Sequence, residues 1–505
     1  MDNTLFPDIE PVPAKVFVLN PGQQKAHDWL VDFILNPKHE YNKVLLDAHA
    51  GYGKTFLVNR AIETVRQRNR QIAFGMTAPT HKAVRQLKKH SELKGELDFG
   101  TIHRYLVLKE VQKVDPKDSR KMYIAYEPDF NPDRIKPIDE IDVLILDETS
   151  MLGENLYEYI EDYARGRGNS LKIIFLGDSL QIPPVRGKNE PYDPLSSMAI
   201  PFSEAQRSSR RIAHLTLDEP VRQSVDNPIF AYATALREQY KNQAISHTFS
   251  LVDGKGVEPV PRNRAALDLL FTKYFCTPEF HEDPDYVKVV AWRNDSVNYF
   301  NDMIRKLMYQ QETLPRIVMG EKLVLNKPII RKKKVILASN EELEVTSISE
   351  LTVPVKYKLI ERPNAMQQAA SDGVHNTGIK QCEEMFKIYR CGVVTAEKNL
   401  FMIDVLHEDD MQRFEDLRKE LEVKAKKTPD MFDRKEMWKQ FFALDEPFAN
   451  VNYNYAISCH KSQGSTYNYC ISMEWDIDQN WMIEERNRIK YVAATRAKFK
   501  LFIVK

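Results

Sequence analysis

Cysteine is scarce in this chain, charge of neither sign prevails, and long apolar runs are missing. The five cysteines among 505 residues, Cys276, Cys382, Cys391, Cys459 and Cys470, are odd in number and widely spaced. They fit neither a disulfide framework nor a C-x-x-C zinc pattern. Lys plus Arg number 72, as do Asp plus Glu, so no net charge draws in polyanions and any grip on nucleic acid must come from local patches. No apolar stretch approaches the roughly 20 residues of a membrane helix. The opening Met-Asp-Asn-Thr-Leu-Phe-Pro-Asp lacks the basic and apolar regions of a secretory signal. These absences predict a reduced, intracellular, cytoplasmic protein without a membrane partner. What is present is apolar material for a sizeable core, 43% of residues, so disorder is not the default. At roughly 100–200 residues per domain, the length predicts about three or four compact units.

A proline-rich, weakly apolar arm over residues 1–18 gives way to an alternation of short apolar strands and helices. Strands are expected at 44–46, 72–76, 142–146 and 172–176, and helices at 23–34, 55–68 and 80–90. The strand signal returns at 287–291, 454–457, 469–473 and 499–504. Apolar strands alternating with helices predict parallel sheets covered on both faces, here two α/β cores. Two segments interrupt the pattern. The β-like runs 106–114 and 121–127 flank a turn-rich Asp115-Pro116-Lys117-Asp118-Ser119, which predicts an inserted hairpin. From 326 to 450 the chain is first β-like, at 335–337 and 345–347, and then a charged helical stretch, 409–444, broken at Thr428-Pro429-Asp430.

The most specific local pattern is Asp47-Ala48-His49-Ala50-Gly51-Tyr52-Gly53-Lys54-Thr55, set between a strand and a helix. In such a loop backbone N–H groups point inward and the helix N-terminus adds partial positive charge, which suits phosphate. Ala50, Gly51, Tyr52 and Gly53 would form the cradle. Lys54 would neutralise the β- and γ-phosphates and the Thr55 hydroxyl would ligate Mg²⁺. The first glycine of G-x-x-x-x-G-K-[ST] is Ala48 here, a change that a negative φ would tolerate. Further on, Val143-Leu144-Ile145-Leu146 delivers Asp147-Glu148 to a strand's C-terminal edge, where α/β sheets bind ligands. Asp147 would hold the metal through water, and Glu148 would orient or deprotonate attacking water. Together these predict ATP hydrolysis with Mg²⁺.

Other motifs follow in order. Thr77-Ala78-Pro79-Thr80-His81-Lys82-Ala83 and Thr101-Ile102-His103 precede Asp147-Glu148-Thr149-Ser150-Met151. Gly177-Asp178-Ser179-Leu180-Gln181-Ile182-Pro183-Pro184-Val185, Leu217 and Arg222-Gln223 come next. His460-Lys461-Ser462-Gln463-Gly464-Ser465 and Tyr491-Val492-Ala493-Ala494-Thr495-Arg496-Ala497 close the series. From about Leu19 to the C-terminus this set resembles the RecD-like branch of superfamily 1B helicases. The hairpin and the long insertion are similar to those of the Dda-like helicases of tailed bacteriophages. The resemblance implies two RecA-like cores closing on ATP, with Gln23 reading adenine and Gln181 sensing the γ-phosphate. Gln24 is adjacent and leaves that register open. Arg222 and Arg496 would reach the γ-phosphate from the second core, where a planar guanidinium suits the charge of the transferring group, and Gly464 would lie beside the nucleotide. A track for single-stranded DNA would comprise Pro79, Thr80, His81, Lys82, Thr101, His103, Ser462 and Gln463, whose hydroxyl, amide and imidazole groups suit phosphate and sugar contacts.

Several features draw the plainer expectation. Lys82, Arg85, Lys88 and Lys89 form a basic helix face that is either solvated or a phosphate contact. Trp292 and Tyr105 are expected in the core rather than stacked on bases. The basic run Arg331-Lys332-Lys333-Lys334 is expected at a solvated strand end or loop, and Phe432, Met437 and Phe441 as packing residues.

The fold class expected is therefore α/β, two RecA-like parallel-sheet cores with an inserted β-hairpin and an inserted β-rich plus helical domain, whose β part the resemblance implies to be SH3-like. The boundaries are 1–18 for the arm, 19–105 with 140–215 for the first core, and 106–139 for the hairpin. The second core takes 216–325 with 451–505, and the insertion 326–450. The expected activity is an ATP-dependent DNA helicase acting on single strands and duplex junctions, with 5′-to-3′ polarity implied by the resemblance alone. Replication or recombination proteins are the partners it implies. A translocase or RNA helicase with the same motor, or a nucleotide-gated binding protein, remains open at this level.

Overall fold

A computed structural model describes residues 19–505 except 92, 94, 116, 130, 132–134, 168–169, 184–200, 203–211, 220–226, 332–333 and 361–377. The arm and Arg222 therefore lie outside the described residues. A six-stranded sheet takes the order Asp98–Thr101, Phe74–Ala78, Val143–Leu146, Lys172–Gly177, Lys43–Ala48, Ala213–Leu217, with every neighbouring pair parallel. Its central strands are apolar without interruption because both faces are covered. Val44, Leu46, Val143 and Ile145 pack with Leu30 and Leu57 on one side. Leu45, Leu144, Leu146 and Phe175 pack with Tyr105 and Tyr157 on the other. Tyr105 is thus a core residue, as expected.

The second sheet runs Ala456–Ser458, Val287–Ala291, Tyr467–Met473, Ala497–Val504, Lys255–Val260, Leu251–Val252. It is parallel apart from its last, antiparallel edge. Val290, Leu501 and Ile503 face one apolar cluster, and Val289, Phe502 and Val504 the opposite one. The edge Ala456–Ser458 overlaps the strand expected at 454–457, whereas sequence periodicity missed Lys255–Val260 and the other edge, Leu251–Val252, which are exposed in part or throughout.

The insertion carries a five-stranded antiparallel sheet, ordered Leu400–Leu406, Ile379–Thr395, Glu342–Ile360, Lys322–Leu325, Val451–Tyr453, whose last two strands lie outside the expected 326–450. Two of its strands, 19 and 17 residues long, extend as a ribbon. Helices Glu408–Lys427 and Met431–Ala443 pack on this ribbon through Phe414, Leu417, Leu421 and Trp438 against Val355, Leu359 and Phe386. Asp430 caps the second helix by accepting from the N–H groups of Phe432 and Asp433, both at 2.9 Å, which explains the break in the charged stretch. Met437 is buried there, but Phe432 is 83% exposed. The packing expected of Phe432 fails because it occupies the helix's first turn, beyond the ribbon. Arg331 is exposed at the end of the short strand Ile329–Arg331, which pairs with Lys334–Leu337; its Nη2 donates to Met402 O at 3.0 Å.

The other hairpin pairs Leu108–Val114 with Met122–Pro128. It starts later than the sequence suggested, because Leu106 has no exposed surface and belongs to the first core. Its tip meets the insertion, where Trp438 Nε1 donates to Arg120 O at 3.1 Å and Arg434 Nη1 to Ser119 O at 3.4 Å. No helix among the described residues is long and apolar enough to cross a membrane.

Candidate nucleotide cleft and nucleic-acid track

The strand Lys43–Ala48 is buried throughout and leads into the glycine-rich loop. Ala48 closes that strand, paired with Leu217, and is not among the residues of positive φ. A methyl group is therefore tolerated where the motif usually has glycine. Gly51 and Gly53 have φ of 85° and 80°, a left-handed backbone that favours glycine. Lys54 opens the helix Lys54–Arg68, and its Nζ donates to Ala48 O at 2.5 Å and His49 O at 3.1 Å, which aims the ammonium into the loop. Burial and the nearby Arg237 push His49 down to about 4, so its imidazole is neutral at pH 7. The Tyr52 side chain turns into the core. Behind the loop, buried Gln23 donates from Nε2 to Tyr52 O at 3.2 Å, while its Oε1 accepts from Asn20 N–H at 3.1 Å. Gln24 is exposed and bonds Asp28, so of the two glutamines only Gln23 meets the loop.

Four buried residues, Val143–Leu146, carry the acidic pair to the sheet's edge. The Asp147 carboxylate accepts from the Glu148 N–H at 2.8 Å. Glu148 itself has φ 52° and ψ 42°, a left-handed conformation that costs a non-glycine residue about 1–2 kcal/mol. Burial and the charge of Asp147 raise its pKa, opposed by Arg496 and Lys54. The carboxyl thus faces groups from both cores. Ser150 donates to Gln181 Oε1 at 3.0 Å.

These groups line one cavity of about 580 Å³. His49, Ala50, Gly51, Gly53, Lys54, Thr55, Asp147, Glu148 and Gln181 form its first wall, and Gly464, Thr495 and Arg496 belong to the second. Gln23 and Tyr52 stand behind that wall rather than in it. Gly464 has φ 70°, and a Cβ there would come within 3.1 Å of Ala83 Cβ and 3.7 Å of Glu148 Cγ, so the two cores meet closely at this glycine. Arg496 is 4% exposed. Its guanidinium is oriented by the carbonyls of Val492 at 3.1 Å and Ser465 at 2.9 Å and by Thr495 Oγ1 at 2.9 Å. Among the described residues no group of three or more His, Cys, Asp or Glu could hold a metal by itself. Thr55 and Asp147 in one cavity fit an ion that takes its other ligands from water and phosphate, as Mg²⁺ does.

The proposed track divides into two sets. Thr80 and Thr101 cap helices, their hydroxyls accepting from Ala83 N at 3.2 Å and Arg104 N at 3.3 Å, while Pro79 is half-buried and His81 exposed. His103 is half-buried, with its ring 6.1 Å from that of Tyr126 in the hairpin. Burial lowers the pKa of His103, and partial desolvation of the imidazole together with the charge of Arg85 lowers that of His81. Lys82, Ser462 and Gln463 are buried, as is Thr101, and the side chains of the first three already donate to protein groups. Lys82 Nζ lies 2.7 Å from Glu342 Oε1 and 3.1 Å from the Tyr467 hydroxyl. Ser462 donates to Cys459 O at 2.7 Å, and Gln463 Nε2 to Ile182 O at 2.8 Å. In this conformation Lys82 and Gln463 join separate parts of the protein, and Ser462 bonds within its own short helix, Cys459–Ser462, rather than facing a strand. Arg85 likewise pairs with Glu341; Lys88 and Lys89 are exposed, Lys89 with its Nζ 3.9 Å from Asp285 Oδ2.

The sequence reading missed Arg237, Tyr491, Arg488 and Phe230. Phe230 lines the cavity, and the other three reach the first core from the second. Only Tyr491 stood in a quoted motif, and an arginine in a helix carries no local sign of a distant carboxylate partner.

A model described as an AAA domain matches residues 34–187, and one described as a UvrD-like helicase C-terminal domain matches residues 453–504. The ATP-dependent DNA helicase dda of Enterobacteria phage T4 is 25% identical over 515 residues, 96% of this chain and 99% of that protein. An uncharacterized protein of Acanthamoeba polyphaga mimivirus is 23% identical over 540 residues, again 96% and 99%. The ATP-dependent DNA helicase Pif1 of Campylobacter jejuni is 25% identical over 259 residues, 47% of this chain and 53% of that protein.

Proposed function

The chain belongs to the Pif1/Dda-like helicases of superfamily 1B, and from that premise we propose an ATP-dependent DNA helicase that translocates 5′-to-3′ on single-stranded DNA. One observation supports this reading above the others. A single cavity between two parallel-sheet cores collects Lys54, Thr55, Asp147, Glu148 and Gln181 from one and Arg496 from the other. A nucleotide there would be held by both, so its γ-phosphate favours closure of the cleft and its loss favours reopening.

In that reaction the loop N–H groups and Lys54 bind the phosphates. Thr55 and Asp147 would hold Mg²⁺, which would supply neutralisation of the developing charge. Glu148 orients and takes a proton from the attacking water, Gln181 contacts the transferring phosphoryl group, and Arg496 and Arg222 offset its charge. Gln23 holds the loop from behind at the adenine side. The strand would run along Pro79, Thr80, His81, Thr101 and His103, and Lys82, Ser462 and Gln463 would reach it only if their present bonds are exchanged.

The hairpin is the wedge in this reading, braced at its tip by Trp438 and Arg434. The decisive experiment measures ATP-driven separation of duplexes carrying a 5′ or a 3′ single-stranded tail. Separation of the 5′-tailed substrate alone is expected. Preference for the 3′ tail would overturn the polarity, and DNA-independent ATP hydrolysis without strand separation would overturn the motor.

A further inference from the structure

Residues 178–182 leave the first sheet after the strand Lys172–Gly177, yet the second core holds them. Asp178 has no exposed surface. Its carboxylate accepts from Arg237 Nη1 at 2.5 Å and from the Tyr491 hydroxyl at 2.5 Å. Arg488 Nη1 donates to Ser179 O at 2.7 Å and Gln181 O at 3.3 Å. Leu180 and Ile182 pack into the apolar cluster built by Tyr232, Val257 and Leu501 of the second core. The segment is tied back to the first core by Ser179 N–H, which donates to Asp47 Oδ1 at 3.0 Å, and by the bond from Ser150 to Gln181. Tyr491 also meets the backbone of Ala50 in the phosphate loop.

The segment is therefore two-sided. The Gln181 side chain stands in the cleft wall with the first core, while the backbone that carries it is fixed to side chains of the second. Whatever separates the cores must either release those bonds or drag Gln181 out of register. We propose that Arg237, Tyr491 and Arg488 are positioning residues for ATP turnover, setting the place of Gln181 through residues 178–182 so that closure of the cores and alignment of Gln181 are one event. The buried Asp178 carboxylate makes this grip specific, since a planar guanidinium and a phenol hydroxyl fill both of its oxygens. The proposal rests on the ATP-driven motor described above.

Two folded variants test it. Tyr491→Phe removes one hydroxyl and keeps the ring. Asp178→Asn combined with Arg237→Gln exchanges the ion pair for a neutral hydrogen-bonding pair, so no unpaired charge is left buried. In each, kcat for ATP hydrolysis on single-stranded DNA is expected to fall at least about tenfold, as a displaced catalytic geometry would cause, with KM for ATP changed less than about twofold. Adding Gln181→Ala should then cost far less than it does in the unmodified protein, because both changes act through one segment. A loss of packing alone would not produce that dependence. Unchanged kcat in both variants, or a Gln181→Ala effect that simply multiplies with theirs, would overturn the grip while leaving the motor standing. An unmodified protein without DNA-stimulated hydrolysis would overturn both.

Discussion

Glu148 shows how much one residue can report about the site. Its carboxyl sits beside Asp147 with Arg496 and Lys54 opposing, and its backbone is left-handed. Glu148→Gln is expected to reduce ATP turnover at least about 100-fold, the usual scale for removing a general base, while nucleotide affinity changes little. The same substitution has a stability consequence of definite sign. Burial raises the folded pKa of this carboxyl, so between the ordinary and raised values the folded protein binds more protons than the unfolded one. Stability contributed by this group therefore falls as pH rises through that window. A neutral amide escapes the penalty, so Glu148→Gln should melt higher than the unmodified protein at pH 7. A melting temperature lowered at pH 7 would contradict this electrostatic account, and normal turnover would remove Glu148 from the reaction.

Elements were legible in the sequence in proportion to how completely they are buried. Val143–Leu146 and Val287–Ala291 lie inside sheets covered on both faces, so their apolar runs could be read directly. The phosphate loop was legible because its chemistry is local, within nine consecutive residues. Of the ribbon Glu342–Ile360 with Ile379–Thr395 only the run 345–347 was, because much of the rest is exposed and its strands are held by each other across a long connection. Arg237 stayed hidden for the same reason, its partner Asp178 lying 59 residues away. The hairpin was legible through its turn, but its bracing against Trp438 and Arg434 was not. Its proposed role gives a test at this scale. Replacement of residues 109–127 by a short Gly-Ser linker spares the buried Leu106, and is expected to leave DNA-stimulated ATP hydrolysis largely intact while strongly reducing strand separation. Trp438→Phe, which removes the donor to Arg120 O, should give a partial version of that defect. Unwinding at the normal rate by the linker variant would sink the wedge, and a parallel loss of ATPase would assign the hairpin to the first core's stability.

At the scale of the whole molecule, one largely buried carboxylate, its side chain 11% exposed, joins three parts of the chain. Glu342 lies at the start of the long ribbon and pairs with Lys82, on the first core's helix His81–His90, while Tyr467 of the second sheet shares that lysine. Lys288 of the second sheet, itself pushed down to about 8 by burial, is close enough to act on the same carboxyl. Burial alone would raise the pKa of Glu342, but the charges of Lys82 and Lys288 outweigh it and hold the group at about 2, below its ordinary 4.5. A depressed carboxylate contributes stability that is fully present above about pH 4.5 and is lost as pH falls through about 2. At 1.36 kcal/mol per pH unit the contribution is about 3 kcal/mol. Glu342→Gln keeps the shape, removes the anion and leaves Lys82 buried beside a phenol. Urea unfolding at pH 7 should therefore show a loss on the order of 3 kcal/mol, and at pH 3 the difference from the unmodified protein should be clearly smaller. Equal losses at both pH values would show that the defect is one of packing. Because helix His81–His90 also carries Ala83, which meets Gly464 in the cleft, the same variant should loosen the second core and the insertion from the first together. Its ATP hydrolysis should then respond less to single-stranded DNA at pH 7.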